Sequence, residues 1–387
     1  MILLSNDRPL HRHVHLQCGS AASAILLLAM GPSFRRLVLK FSTPRLINVN
    51  IYAQVMQEKE ETWLPHLLGF ILPIVTISGI YMGGWWCFSG FVYALGLCPI
   101  IDYFAPEISP TRAEVAKGPW NSLIFAHGLF FCASIGILLW RANLDGFTVP
   151  VILGGLSVGI VGGISGIINA HESGHRKKGS MIWRVARLNM FMVLYSHFTT
   201  EHNHGHHRNY ATELDPASSP AGRGLWTQIA MTIPRQYKSA WKTHSSKGKT
   251  GFKNPILHGS LLQLVFLAVL FVFSTSMLYA FLIQAGLAII LLEFVNYMQH
   301  YGLRREVGEK HTEFHSWEHR GVWSRWTLLE LPLHPAHHLK ASTPMWDLQA
   351  YKDSPQLPSG YYVCFWLAIF PPLWKKVMSK RIEQLPL

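Results

Sequence analysis

The chain has 387 residues, 49% of them hydrophobic and only 14% charged, with 14 Trp and 21 Phe, a balance that overrides the two or three soluble domains length alone would suggest. The formal charge of +13 does not point to nucleic acid, because the basic residues flank apolar runs as the positive-inside rule leads one to expect. The five cysteines (Cys18, Cys87, Cys98, Cys132 and Cys364) include no C-x-x-C pair, which argues against a zinc ribbon, an iron–sulfur cluster or a fused rubredoxin within this chain.

Residues 1–55 are basic and poor in acids, with Arg8, Arg12, Arg35, Arg36, Lys40 and Arg45 against Asp7 alone, and their apolar patch at 21–30 is too short to cross a bilayer. They read as a basic extension, either a targeting segment or a start codon assigned too early, and take no part in the chemistry. Residues 56–387 form the working domain. From His66 onward the apolar runs reach membrane-crossing length, with spans expected near 66–82, 85–104, 119–140 and 147–169, and a pair within 257–299 that turns near Ser274, Thr275 and Ser276. Glycine crowds the fourth span, which suits close helix packing or room for a narrow tunnel. The stretch 182–198, broken by Arg184, Arg187 and Asn189, reads as an interfacial or partly inserted helix joining the first two histidine groups, in preference to a seventh span. The polar stretch 209–255, with Lys238, Lys242, Lys247, Lys249 and Lys253, reads as surface, either solvated or facing an acidic partner. The short apolar run at 366–372 reads as part of a cap resting on the membrane. The fold expected is an all-α integral membrane protein with about six transmembrane helices and a histidine-rich cytoplasmic cap.

The histidines organise the whole. Seven of the 21 lie between His171 and His207. His171 and His175 are four apart and share a helix face, and His202 and His206 repeat that spacing with His207 beside them. His300 follows the sixth span, and His334, His337 and His338 come later. Imidazole suits Zn, Cu, Fe and Ni, and these nine histidines are too many for one ion and suitable for two. With six spans and both termini on one side, the fourth and sixth end on the same face, and Arg176, Lys177, Lys178, Arg304 and Arg305 assign that face to the cytoplasm.

These residues resemble the membrane-bound alkane hydroxylases, within the larger family of histidine-rich membrane desaturases and hydroxylases. The resemblance covers about 60–385 and rests on the motifs at 171–178, 201–207, 211–218, 296–303, 315–317, 334–338, 357–361 and 371–374. It implies a non-haem diiron monooxygenase that inserts one oxygen atom of O₂ into a terminal C–H bond, with His171, His175, His202, His206, His207, His300, His334, His337 and His338 as iron ligands. It also implies a separate electron carrier, rubredoxin or ferredoxin-type, with its reductase. Two departures stand out: Gln299 replaces the usual Glu, as in the xylene-type methyl monooxygenases, and Ala336 replaces Asp in the last box. His319 also stands where a small polar residue is usual.

Around this core, Glu172, Glu201, Glu213 and Asp215 are candidates for hydrogen bonds to the outer nitrogens of the imidazoles, with a surface role the alternative for Glu213 and Asp215. Trp85 and Trp86 are candidates to line a substrate tunnel, against packing or an interfacial aromatic belt. Arg176, Lys177, Lys178, Arg304 and Arg305 are candidates to dock the carrier, against a purely topological role. A desaturase would use similar boxes and is separated by its alkene product. A membrane metal transporter would hold its ligands near the bilayer midplane, whereas these histidines lie beyond the helix ends.

Overall fold

The structure is a computed structural model and describes residues 61–111 and 117–385; the expected extension 1–55 lies outside the described residues. Thirteen helical segments organise what is described: α1 (Leu64–Met82), α2 (Gly84–Phe104), α3 (Lys117–Asp145), α4 (Val149–Gly174), α5 (Met181–Met192), α6 (198–209), α7 (Leu225–Ser245), α8 (Pro255–Phe273), α9 (Thr275–His300), α10 (Val322–Thr327), α11 (His334–Leu339), α12 (Tyr361–Ile369) and α13 (Pro371–Ile382). No strand is present among the described residues, and only two isolated bridges occur.

Six of these helices, α1 to α4, α8 and α9, are long and apolar enough to cross a membrane. The bounds follow ordinary local chemistry. Gly83 and Gly84 take positive φ (75° and 54°) to reverse the chain between α1 and α2, a conformation cheap only for glycine. Arg141 on α3 donates from Nε to the Ile80 carbonyl at 2.9 Å and so satisfies the frayed end of α1. Ser274 separates α8 from α9 in extended backbone (φ −166°, ψ 125°). The amphipathic α5 is 12 residues long, too short to span, and Ser180 caps it by accepting from the Trp183 amide.

The bundle is built around α4. In its most apolar stretch 83% of residues are buried, against 11% for α8, so α4 is the central post and α8 faces lipid. Glycine makes this possible: a Cβ at Gly159 would lie 2.8 Å from the Leu287 Cβ, and one at Gly155 2.9 Å from Ile283, both on α9. Small residues thus let the two helices approach closely. Between Gly162 and Ile168, α4 winds as a π-helix, and the Asn189 side-chain amide from α5 donates to the Gly166 and Ser165 carbonyls (3.2 and 3.4 Å).

The cap is locked to the bundle by buried polar pairs. Arg325, fully buried, meets Glu330 at 2.8 Å, and Glu330 in turn meets His66 of α1 at 2.9 Å. Leu329 and Glu330 both hold positive φ (52° and 60°), strained for residues with side chains. The Glu330 ion pair holds this turn, which feeds the chain into α11. Asp102 of α2 accepts from the Tyr362 amide (3.2 Å) and from Ser324 (2.8 Å), capping α12 from another helix. Within the 366–372 run, Trp366 donates to the Leu95 carbonyl of α2 at 2.8 Å, which ties this part of the chain to a helix of membrane-crossing length.

Candidate metal centre

α4 and α9 run in the same direction, and each ends on a histidine of the cluster. Four histidines, His171, His175, His202 and His337, bring one ring nitrogen each within 4.8 Å of one another. A second four, His206, His300, His334 and His338, do the same. His207 joins the first group, its Nε2 lying 3.0 Å from the Nε2 atoms of both His202 and His337. All nine histidines singled out in the sequence therefore gather at one face, in a group of five and a group of four.

The spacing argument needs one correction. His202 and His206 do not serve the same group. Residues His202–His206 wind as a π-helix, so positions five apart, His202 and His207, come onto one face, while His206 turns to the second group. In α11 the ordinary α spacing holds: His334 and His338, one turn apart, serve the second group, and His337 serves the first.

The chemistry of these atoms fits bound metal. In the second group His206 Nδ1 meets the Asp215 carboxylate at 2.9 Å, and His300 Nδ1 faces the His315 carbonyl at 3.3 Å. Those partners keep the proton on Nδ1 and leave a lone pair on Nε2. The Nε2 atoms then converge, His334 lying 3.3 Å from His300 and 2.9 Å from His338. Lone pairs held this close repel unless something positive lies between them. In the first group the Nε2 atoms of His171 and His175 are buried and have no hydrogen-bond partner among the described residues. Burial, reinforced by neighbouring imidazoles, pushes the pKa values of His202, His207, His334, His337 and His338 well below the ordinary value. Burial, with help from Arg176, brings His175 down to about 4. The rings stay neutral, as ligands must. No thiolate enters either group.

The supporting candidates divide. Asp215 holds His206 and accepts from Ser218 at 2.6 Å. Glu172 pairs with Arg176 at 2.5 Å, and Arg176 also stacks over Trp346 at 4.7 Å. Glu201 is buried, and its pKa is pushed well above the usual range by burial and by the charges of Asp215 and Glu293. Glu213 is exposed in an outer cleft, which favours its surface alternative. Of the basic candidates, Arg305 is buried and donates to the carbonyls of Tyr210, Glu309 and Arg208, so it is a structural pin. Lys177, Lys178 and Arg304 are exposed.

An apolar cavity ends on this cluster. One stripe of α4, Ile160, Gly163, Ile164, Ile167, Ile168 and His171, lines it over about 16 Å at 1.5 Å per residue. Leu95 of α2, Leu291 and Val295 of α9 and Phe365 of α12 complete its apolar wall. At the inner end stand His171, His202 and His334, with Asn296, Gln299 and Tyr361 beside them. Gln299 donates to the Tyr361 hydroxyl at 2.7 Å. Trp85 and Trp86 are absent from this wall. They are 74% and 60% exposed at the start of α2, as interfacial aromatics are, because the Gly83–Gly84 turn places them at the membrane edge.

Sequence reasoning missed Glu293, buried in α9, although an ionisable residue inside an apolar span was a legible signal. It also left the 315–317 motif without a role. Trp317 donates to the Gln299 carbonyl from its backbone and to the Tyr301 carbonyl from its indole, both at 2.9 Å, which clamps the end of α9 that carries His300.

Fold and site define a multi-pass membrane protein with a twin histidine centre of the metal-binding type, and the fatty acid desaturase family model matches residues 147–368. Alkane 1-monooxygenase 1 of Alcanivorax borkumensis is 31% identical over 350 residues, covering 85% of this chain and 86% of the relative. Alkane 1-monooxygenase of Pseudomonas putida is 28% identical, covering 85% and 87%. The xylene/toluene monooxygenase hydroxylase component of Pseudomonas putida is 25% identical, covering 80% and 87%. The chain belongs to the alkane 1-monooxygenase family and is an oxidoreductase.

Proposed function

We propose that this chain is an O₂-dependent, non-haem diiron monooxygenase that converts a medium- or long-chain n-alkane to the 1-alkanol. The observation that carries this reading is the apolar cavity that ends on histidines of both groups. Its stoichiometry is RH + O₂ + 2e⁻ + 2H⁺ → ROH + H₂O. His171, His175, His202, His207 and His337 would hold one iron, and His206, His300, His334 and His338 the other. When bound there, the iron pair would supply reductive activation of O₂.

The protein's own residues do the rest. An alkyl chain offers no polar handle, so the α4 stripe must position it by shape, and the same wall excludes water from the reacting end. Gln299 fixes the Tyr361 hydroxyl at that end. Asp215 and the His315 carbonyl fix the tautomers of His206 and His300, and the Trp317 clamp fixes the height of His300.

The two electrons come from a separate acidic carrier, and we place its dock at the outer cleft behind α6. Arg235, Lys238 and Lys242 lie on one exposed face of α7 there, opposite Arg208 and His204. That concentration of positive charge on the histidine side also supports a cytoplasmic site, in the inner membrane if the source is bacterial. Membranes containing the protein, supplied with carrier and reductase, should form 1-alkanols from n-alkanes and hold two irons per chain. Exclusive oxidation of methylated aromatics, the reading that Gln299 and the xylene-type relative favour, would replace the alkane assignment. An alkene product would replace hydroxylation.

A further inference from the structure

Nine neutral imidazoles bring no negative charge. Two divalent ions among them, on the reading proposed above, would place four positive charges in a buried site, which is strongly unfavourable without compensation. The described buried carboxylates fall into two sets. Glu172, Glu318 and Glu330 face Arg176, Arg320 and Arg325, and Asp102 caps α12. Glu201, Asp215 and Glu293 have no salt bridge to lysine or arginine among the described residues.

Glu293 is the one of these three that neither neighbours a histidine of the cluster in sequence nor bonds to one. It is wholly buried on α9, seven residues before His300. Seven residues are two helical turns, so the two side chains share a face about 10 Å apart along the axis. Its hydrogen bonds are all accepted. Tyr195 Oη donates to Oε1 at 3.0 Å, Gln236 Nε2 lies 2.9 and 2.8 Å from the two oxygens, and Asn296 Nδ2 donates to Oε2 at 3.2 Å. Three neutral donors around one carboxylate is how a protein holds an anion in place without neutralising it. Asn296 itself lines the inner end of the cavity.

We propose that Glu293 is a fixed counter-charge for the metal pair: a positioning residue that acts through its field on metal loading and reduction potential and does not ligate. One unit charge at about 10 Å, at the effective dielectric of protein sites, changes a one-electron equilibrium about tenfold. Removing it disfavours the more positive, oxidised centre, so the potential rises.

The test uses the full-length, metal-loaded protein in detergent or nanodiscs, with a redox titration followed spectroscopically and a chelator competition. Glu293→Gln should raise the midpoint potential by about 59 mV, a tenfold change for one electron, and loosen a divalent ion, which feels the same field through twice the charge, about a hundredfold. Glu293→Asp, one methylene shorter but with the charge kept, should stay near wild type, whereas Gln keeps the shape and loses the charge. Tyr195→Phe deletes a hydroxyl dipole that partly offsets the same charge, and should shift the potential downward by less. Equal shifts in the Gln and Asp variants, or no shift in Gln, would make Glu293 a packing residue and overturn the proposal. If the Gln variant does not accumulate, Tyr195→Phe decides, since an unchanged or raised potential there overturns it too. Iron content and alcohol formation of the unsubstituted protein test the diiron reading separately.

Discussion

The two histidine groups are built from the same residue type yet held differently. In the group of four, every ring is buried, and His206 and His300 are pinned from behind by Asp215 and the His315 carbonyl. In the group of five, His171 and His175 are partly open, and their Nε2 atoms have no hydrogen-bond partner among the described residues. The cavity meets two histidines of the five and one of the four. Bracing at Nδ1 of two rings makes the group of four the more pinned of the two, although His334 and His338 have no such partner among the described residues, and the cavity meets more of the looser group.

Removing ligands breaks this comparison most sharply. His338→Ala, in the pinned group, should abolish turnover and lose that group's metal, as read by elemental analysis. His175→Ala, at the open edge, should also stop turnover but retain metal in the pinned group. Equal loss from both groups in both variants would show that the two sites fill only together. Next in size is Asp215→Asn, which removes the carboxylate behind His206. Loss of such a support typically costs about 10–100-fold in metal affinity, here confined to the group of four.

A smaller effect is expected in the cavity, which approaches the looser group along α4. Ile164→Phe should shift the product profile toward shorter alkanes and destabilise the fold by about 1–3 kcal/mol through overpacking. Trp85→Ala, at the membrane edge, should leave the profile unchanged, and a changed profile would return that residue to the tunnel wall. The smallest effect belongs to the surface. Lys238→Glu with Lys242→Glu should raise the carrier concentration needed for half-maximal rate, most at low salt, with iron unchanged. The same reversal at Lys177 and Lys178 should do less, and a larger effect there would move the dock. Arg305 is unsuited to such a test because its guanidinium holds three backbone carbonyls.

Much of this molecule was legible in the chain itself. The six spans follow from apolar run length, because a bilayer imposes a length that local composition must match. The gathering of nine histidines at one face follows from parity: α4 and α9 run the same way, so their ends meet on the same side. What sequence could not decide was allotment. An α-helical spacing rule pairs His202 with His206, but π winding, a matter of local geometry within the folded helix, pairs His202 with His207 and sends His206 to the other group. Nor could sequence tell a buried charge from an exposed one. Arg304 and Arg305 are adjacent; the carbonyls of Tyr210, Glu309 and Arg208 brought together by the fold bury the second, while the first stays exposed with only long contacts to the Thr212 and Ser218 carbonyls. Likewise Trp85 and Trp86 were candidates by residue type, and the left-handed glycine turn beside them placed both at the membrane edge. Chain composition determines which segments enter the bilayer and which atoms can bind metal. Contacts between segments distant in sequence decide which atoms meet, since each depends on helix winding and packing that no local run of residues encodes.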